Sequence, residues 1–226
     1  MNSANKIDYW NEKFLANEWG RYPPEELVQF IGRNFKHGDR SCVEILEVGC
    51  GPGANVWFLH REGYAVSGID GSMAAIDQAK QRLAKENAGY SPADLRVGNF
   101  SLLPWPDNSF DVVIDVFAIY ANDSATISRT HAEVLRVLKP GGVFFSKMWG
   151  TQTSGFGLGQ RIEDHTFENI PDGPCHNMGQ THFFDEIEIK ERLRGFQTVT
   201  IDRILRTSDK TDNVVEELVC QATKRL

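Results

Sequence analysis

The chain has 226 residues, 41% hydrophobic and 24% charged, the make-up of an ordinary globular protein able to bury a core without disulfides or metals. Lys and Arg number 24 against 31 Asp and Glu, a net charge of −7 that argues against nucleic acid and anionic membranes as partners. No run approaches the roughly 20 apolar residues of a membrane span, residues 1–7 lack a signal-peptide core, and Cys42, Cys50, Cys175 and Cys220 show no Cys-x-x-Cys spacing. A cytoplasmic protein with reduced thiols is predicted.

Residues 6–35 are rich in aromatics: Tyr9, Trp10, Phe14, Trp19, Tyr22, Phe30 and Phe35. Trp10 and Phe14, four apart, predict a packed helical face. Pro23-Pro24-Glu25-Glu26 reads as a helix start, because proline fits the first turn, and Leu27, Phe30 and Ile31 follow at helical spacing. Strand and helix patterns then alternate. Residues 43–48 form a buried strand, 54–62 a helix and 64–69 a second strand. Ser72 caps a helix with Met73, Ile76, Ala79 and Leu83 on its apolar face. Strands follow at 95–97 and 110–116. A helix over 127–138 stops at Pro140-Gly141-Gly142, and a fifth strand covers 143–149. This alternation predicts an α/β, doubly wound, mostly parallel sheet. Residues 150–181 are glycine-rich and polar, a loop long enough to serve as a lid or binding segment. A helix at 185–193 and strands at 196–205 and 214–223 close the chain, for seven strands in all.

The sharpest motif is Glu47-Val48-Gly49-Cys50-Gly51-Pro52-Gly53, between a predicted strand and a predicted helix. Glycines there permit close approach of a ligand, and the carboxyl ends of such strands are where nucleotides bind. Asp70 ends the next strand, and its carboxylate can accept both hydroxyls of a ribose. A tight turn without a ligand is the plainer alternative, but it leaves the spaced acid unexplained. The loop also satisfies the dinucleotide pattern G-x-G-x-x-A. Its glycines alone do not separate NAD from S-adenosylmethionine.

Glu47-x-Gly49-x-Gly51-x-Gly53 resembles the first motif of class I S-adenosylmethionine-dependent methyltransferases, and the small type 11 group in particular. The resemblance continues through Asp70, through Gly98-Asn99-Phe100 with Leu103-Pro104-Trp105-Pro106-Asp107, and through 134–142, ending in Lys139-Pro140-Gly141-Gly142. It implies a Rossmann-like seven-stranded sheet with an antiparallel last strand. Residues 43–149 would bind the cofactor, 1–35 form an N-terminal helical lid, 150–184 a cap insertion, and 185–226 the closing helix and strands of one domain. It further implies that Glu47, Gly49, Gly51 and Gly53 lie along the amino-acid part of S-adenosylmethionine. Asp70 would hold the ribose, with Gly71 and Ser72 beside the adenine. Asn99 and Phe100 would meet the adenine, Asn standing where the family often has Asp and keeping a carbonyl acceptor. Asp115 and Val116 would face the methionine portion, and Tyr120 the acceptor.

The dinucleotide alternative lacks support elsewhere: the sequence's Tyr-x-x-x-Lys, Tyr9 to Lys13, lies before the glycine loop, whereas short-chain dehydrogenases carry it after the fourth strand. The Asn/Asp-Pro-Pro-Tyr/Phe signature of amino-methylating DNA enzymes is absent. Transfer from a sulfonium is an in-line displacement that needs chiefly positioning and exclusion of water. Arg21 and Tyr22 are candidates for the cofactor carboxylate. His182 is the preferred general base, since histidine titrates near neutrality. His60 and His131 read as structural. Glu163, Asp164 and His165 are too closely spaced for a metal site, and none is predicted. The expected activity is methyl transfer to O, N or C of a small-molecule acceptor, releasing S-adenosylhomocysteine, by a monomer or homodimer. A nicotinamide oxidoreductase and a non-catalytic S-adenosylmethionine-binding protein are the alternatives.

Overall fold

A computed structural model describes residues 3–17, 19–87, 89, 91–207 and 212–226, with the side chains of 3–7 excepted. The predicted lid therefore lies partly outside the described residues, at 1–2 and 18.

Seven strands build the main sheet: β1 (Glu44–Val48), β2 (Ala65–Asp70), β3 (Asp94–Val97), β4 (Phe110–Val116), β5 (Leu138–Trp149), β9 (Thr198–Thr207) and β10 (Val214–Thr223). Their order is β3-β2-β1-β4-β5-β10-β9. The first five run parallel, and β10 is antiparallel to both neighbours. This is the expected arrangement with its antiparallel last strand. The chain steps outward from β1 to β2 and β3, then returns to lay β4 on the other side of β1. That reversal opens a crevice at the carboxyl ends of β1 and β4.

Successive strand residues point to opposite faces, so each strand feeds two cores. Leu46, Val48, Val113 and Phe144 pack with Ile127, Val134 and Val137 of α5 (Ser124–Val137) and Ile189 of α6 (Glu186–Arg192). Ile45, Val112, Ile114 and Phe145 pack on the other face with α2 (Glu25–Asn34), α3 (Ala54–Arg61) and α4 (Met73–Glu86). A fully buried side chain of this kind is worth about 1.5–3 kcal/mol, so both helical layers are held chiefly by their apolar stripes.

Three sequence expectations change. α2 is core rather than lid: Leu27, Phe30 and Ile31 are buried and Phe30 stacks on Phe145 at 4.9 Å. On α4, Met73 is exposed and Ala75 takes its place inside, while Ser72 caps the helix as expected, its Oγ accepting from the Ala75 N–H at 3.2 Å. The insertion after β5 is more ordered than its glycines imply. It forms a small antiparallel sheet of β6 (Gln160–Glu163), β7 (Thr166–Glu168) and β8 (Thr181–His182) over its own cluster of Phe167, Ile170, Cys175 and Phe183. Strands of two to four residues are too short to show alternation. α1 (Ser3–Ala16) precedes α2 and buries Phe14.

Candidate functional site

The crevice widens into a cavity of about 580 Å³, within the range of small-molecule sites. The glycine loop, the end of β2, the segment after β3, the turn after β4, and residues of α1 and the insertion surround it.

Gly49, Gly51 and Gly53 all have positive φ (65°, 49° and 83°), backbone that favours glycine. A Cβ on Gly49 would fall 2.1 Å from Ala118 Cβ, and one on Gly53 2.8 Å from Ala79 Cβ, so these two also let the turn after β4 and α4 pack closely. Gly49 and Gly51 line the cavity and Gly53 begins α3.

Asp70 lies at the foot of the cavity, only 8% exposed. Its Oδ2 accepts from Gly51 N–H at 2.9 Å and its Oδ1 from Ser72 N–H at 2.8 Å. Burial raises its pKa, partly offset by those two donors. Each oxygen keeps a lone pair for a further donor. Gly71 and Ser72 line the cavity beside it.

Glu47 is buried, and its Oε1 accepts from Asn55 Nδ2 at 2.7 Å. Burial, with the Asn55 bond opposing and Asp115 and Asp70 reinforcing, lifts its pKa to about 8. Glu47 Oε2 and Asn55 Oδ1 are both buried without a hydrogen-bond partner. A buried carboxyl that keeps its proton for want of a cation, next to an unpartnered amide oxygen, is costly, and the pair fits a cationic amine such as the α-ammonium of an amino acid, whose charge would restore the Glu47 carboxylate. Asn55 was not singled out in the sequence. Its only signal is a polar residue in the first turn of a helix, just before the apolar run 56–59.

Asn99 and Phe100 line the cavity. Asn99 Oδ1 already accepts from Ser101 N–H and Oγ, both at 2.9 Å, which occupies the carbonyl acceptor expected for the adenine. Val116 lines the cavity, but Asp115 does not. Asp115 Oδ1 instead accepts from the N–H groups of Ala118 and Ile119 at 3.0 Å each, and Oδ2 from Ser146 Oγ at 2.6 Å. Burial, against those donors, raises its pKa to about 6. It holds the turn after β4 in place. Tyr120 lines the cavity, 2% exposed, its phenol pKa pushed far up by burial.

Two expectations are corrected. Arg21 pairs with Glu86 at 3.2 Å and lies outside the cavity, because the segment carrying it lets its side chain reach α4; Tyr22 does line the cavity. His182 is 1% exposed and also outside, and both ring nitrogens are engaged, Nδ1 with Thr166 Oγ1 at 2.7 Å and Nε2 with Glu188 Oε1 at 2.8 Å. Against the cost of burial, His182 and Arg192 hold Glu188 down at about 2. This histidine ties the insertion to α6 and has no lone pair to offer a substrate.

The sequence did not single out Phe117 or Trp149, which line the cavity and stack at 4.2 Å and 29°. Their signal is position alone, at the carboxyl ends of β4 and β5. Met178 of the insertion, and Trp10, Phe14 and Trp19 from α1 and the segment after it, complete the apolar lining. Asn11 Oδ1 accepts from Ser72 Oγ at 2.9 Å and Ala74 N–H at 3.1 Å, which docks α1 beside Asp70. Tyr9 donates to Asn177 O and joins α1 to the insertion. No group of three or more His, Cys, Asp or Glu that could hold a metal exists among the described residues.

Residues 45–142 match the family model described as a methyltransferase domain. The demethylmenaquinone methyltransferase of Symbiobacterium thermophilum is 34% identical over 146 residues, covering 62% of this chain and 53% of that protein. The sterol 24-C-methyltransferase of Gibberella zeae is 33% identical over 147 residues, covering 62% of this chain and 37% of that protein. The chain thus spans about half the length, or less, of these curated relatives. An S-adenosylmethionine-dependent methyltransferase structure from Methanosarcina mazei superimposes with a TM-score of 0.69 at 24% identity, covering 91% of this chain and 99% of that one. Residues 45–142, which hold the glycine loop and Asp70, are thus similar to a methyltransferase domain, and the chain shares its fold with the Methanosarcina mazei structure.

Proposed function

We propose that the chain transfers the methyl group of S-adenosylmethionine to a small-molecule acceptor. The observation that carries this is the pair of buried, unpartnered oxygens, Glu47 Oε2 and Asn55 Oδ1, in one cavity with a ribose-ready Asp70. Dinucleotides share the ribose but offer no α-ammonium for the first pair.

In this reading Glu47 and Asn55 hold the amino-acid end, and the Gly49 to Gly51 backbone lies along it. Asp70 takes the ribose hydroxyls, Gly71, Ser72, Asn99 and Phe100 border the adenine, and Val116 and Tyr22 border the methionine end. When bound, S-adenosylmethionine supplies a methyl carbon already activated by its sulfonium. The chain's own task is positioning and drying. Trp10, Trp19 and Met178 cover the cavity, and Tyr120 stands beside the acceptor as a neutral phenol able to donate a hydrogen bond. No histidine or lysine lines the cavity among the described residues.

We read the described elements as one working unit, with 43–149 as the cofactor core and 150–184 as its cap. No helix among the described residues is long and apolar enough to cross a membrane. The four free cysteines, three of them buried, support a cytoplasmic setting. The charge of −7 supports small acceptors over nucleic acid, handled by a monomer or homodimer.

Thermal shift tests the reading. S-adenosylhomocysteine at a hundredfold excess over its Kd contributes about 2.7 kcal/mol, which for a chain of this size raises Tm by about 5–10 °C. NADH is expected to leave Tm unchanged, and the reverse pattern would favour an oxidoreductase. Turnover of methyl-labelled S-adenosylmethionine with a metabolite extract then separates an enzyme from a non-catalytic binder.

A further inference from the structure

Phe117 has φ of 53°. A bulky aromatic in left-handed backbone is a true outlier, and such strain persists only where the surroundings enforce it, commonly at ligand sites. Here the enforcement is visible. Asp115 Oδ1 takes the N–H groups of Ala118 and Ile119 at 3.0 Å each, which fixes the turn directly after Phe117. Phe117 N–H donates to Lys147 O at 2.9 Å, which ties it to β5. Lys147 Nζ sits 5.7 Å from the Phe117 ring centroid and is itself held by Glu26 at 2.7 Å and Glu217 at 2.9 Å. The product of these constraints is a ring stacked on Trp149 at 4.2 Å, the stacked pair lining the cavity. Tyr120 meets each of them edge-on, at 6.4 Å from Phe117 and 6.3 Å from Trp149. A merely apolar wall needs no strained residue, since any Leu or Val in relaxed backbone supplies one.

We propose that Phe117 and Trp149 form a preorganised shelf that selects a planar, conjugated ring as the methyl acceptor, with Asp115 as the positioning residue beneath it. The proposal rests on the methyltransferase reading for the word acceptor. The shelf itself is a binding site whatever the reaction. Rigid flat walls favour flat ligands, because a puckered ring of equal apolar area leaves gaps that forfeit contact.

The test compares 2-naphthol with decahydro-2-naphthol, which has the same carbon skeleton and hydroxyl but puckered rings. Both are titrated calorimetrically into the full chain, with and without saturating S-adenosylhomocysteine. The wild type is expected to bind 2-naphthol about tenfold more tightly, the upper end for ring–ring contacts. Phe117→Asn keeps a residue tolerant of left-handed backbone and removes the ring, so its Tm is expected to hold or rise while the preference falls to about twofold or less. Trp149→Leu is expected to do the same to the preference. Equal affinity of the wild type for the two probes overturns the shelf, as does a folded Phe117→Asn protein that keeps its preference. Failure of S-adenosylhomocysteine to bind overturns the methyltransferase reading alone, because the titrations without it still report on the shelf.

Discussion

Asp70 joins a structural clamp to the cavity it lines, where the proposed cofactor's ribose would meet it. Its two oxygens each hold a backbone N–H, from Gly51 and from Ser72, so it clamps the glycine loop to the start of α4. Asp70→Ala therefore removes the ribose contact and also leaves two donors without their acceptor. Loss of measurable S-adenosylhomocysteine binding by calorimetry is expected, together with a stability loss of about 1–3 kcal/mol in urea denaturation. Unchanged affinity in a folded variant would remove Asp70 from the cofactor site. Asp115 makes a similar clamp on β4, across β1 from β2, through its hydrogen bonds from Ala118, Ile119 and Ser146. Both acids lie near the carboxyl ends of their strands, yet of the two only Asp70 lines the cavity.

Among the elements, α1 gives Trp10 and Phe14 to the cavity and the insertion gives Met178. Asn11 is the latch of α1, and each of its two hydrogen bonds is worth about 0.5–1.5 kcal/mol. Asn11→Ala is expected to speed amide exchange over residues 8–16 and to quicken cofactor release, with the global denaturation midpoint nearly unchanged. Slow exchange retained in α1 would show that the aromatic contacts of Trp10 and Phe14 suffice. The insertion is tied down by His182, Thr166 and Glu188. His182→Ala is expected to cost about 1–3 kcal/mol of stability and to leave turnover per folded molecule near wild type. A large drop in kcat at unchanged stability would restore it as a base.

For the molecule as a whole, burial of ionisable groups sets the response to pH. Glu47 is lifted from the usual 4.5 to about 8, so the folded state holds its proton more tightly than the unfolded chain. Its contribution to stability is full below pH 4.5 and is lost as pH rises through 8. Glu188, held down at about 2, acts in the opposite sense: its contribution is present above the usual 4.5 and lost as pH falls through 2. The difference between wild type and Glu47→Gln isolates the first effect. Chemical denaturation from pH 5 to 9 is expected to show the wild type losing stability relative to the variant. A parallel course for both would place Glu47 in a wetter environment than the structure gives it.

The alternation of 2-period and 3.6-period apolar patterns, punctuated by Pro140-Gly141-Gly142 and the glycine loop, makes the sheet, its helices and the placement of Asp70 legible in the chain. Local patterns carry that information because each element must bury one face, and each tight turn must tolerate its φ. The site's outer half is not legible in this way. Whether His182 faces a cavity or a carboxylate, whether Arg21 meets a ligand or Glu86, and whether Phe117 and Trp149 meet at all depend on distances between segments far apart in the chain. Nor does the aromatic N-terminal stretch reveal that α2 is core while α1 covers the cavity, since both show helical spacing. Patterns within single elements thus suffice for the sheet and the cofactor loop. The cavity's aromatic wall is set at the tertiary level, because its residues converge from the ends of β4 and β5, from α1 and from the insertion, and no local rule governs how such ends meet.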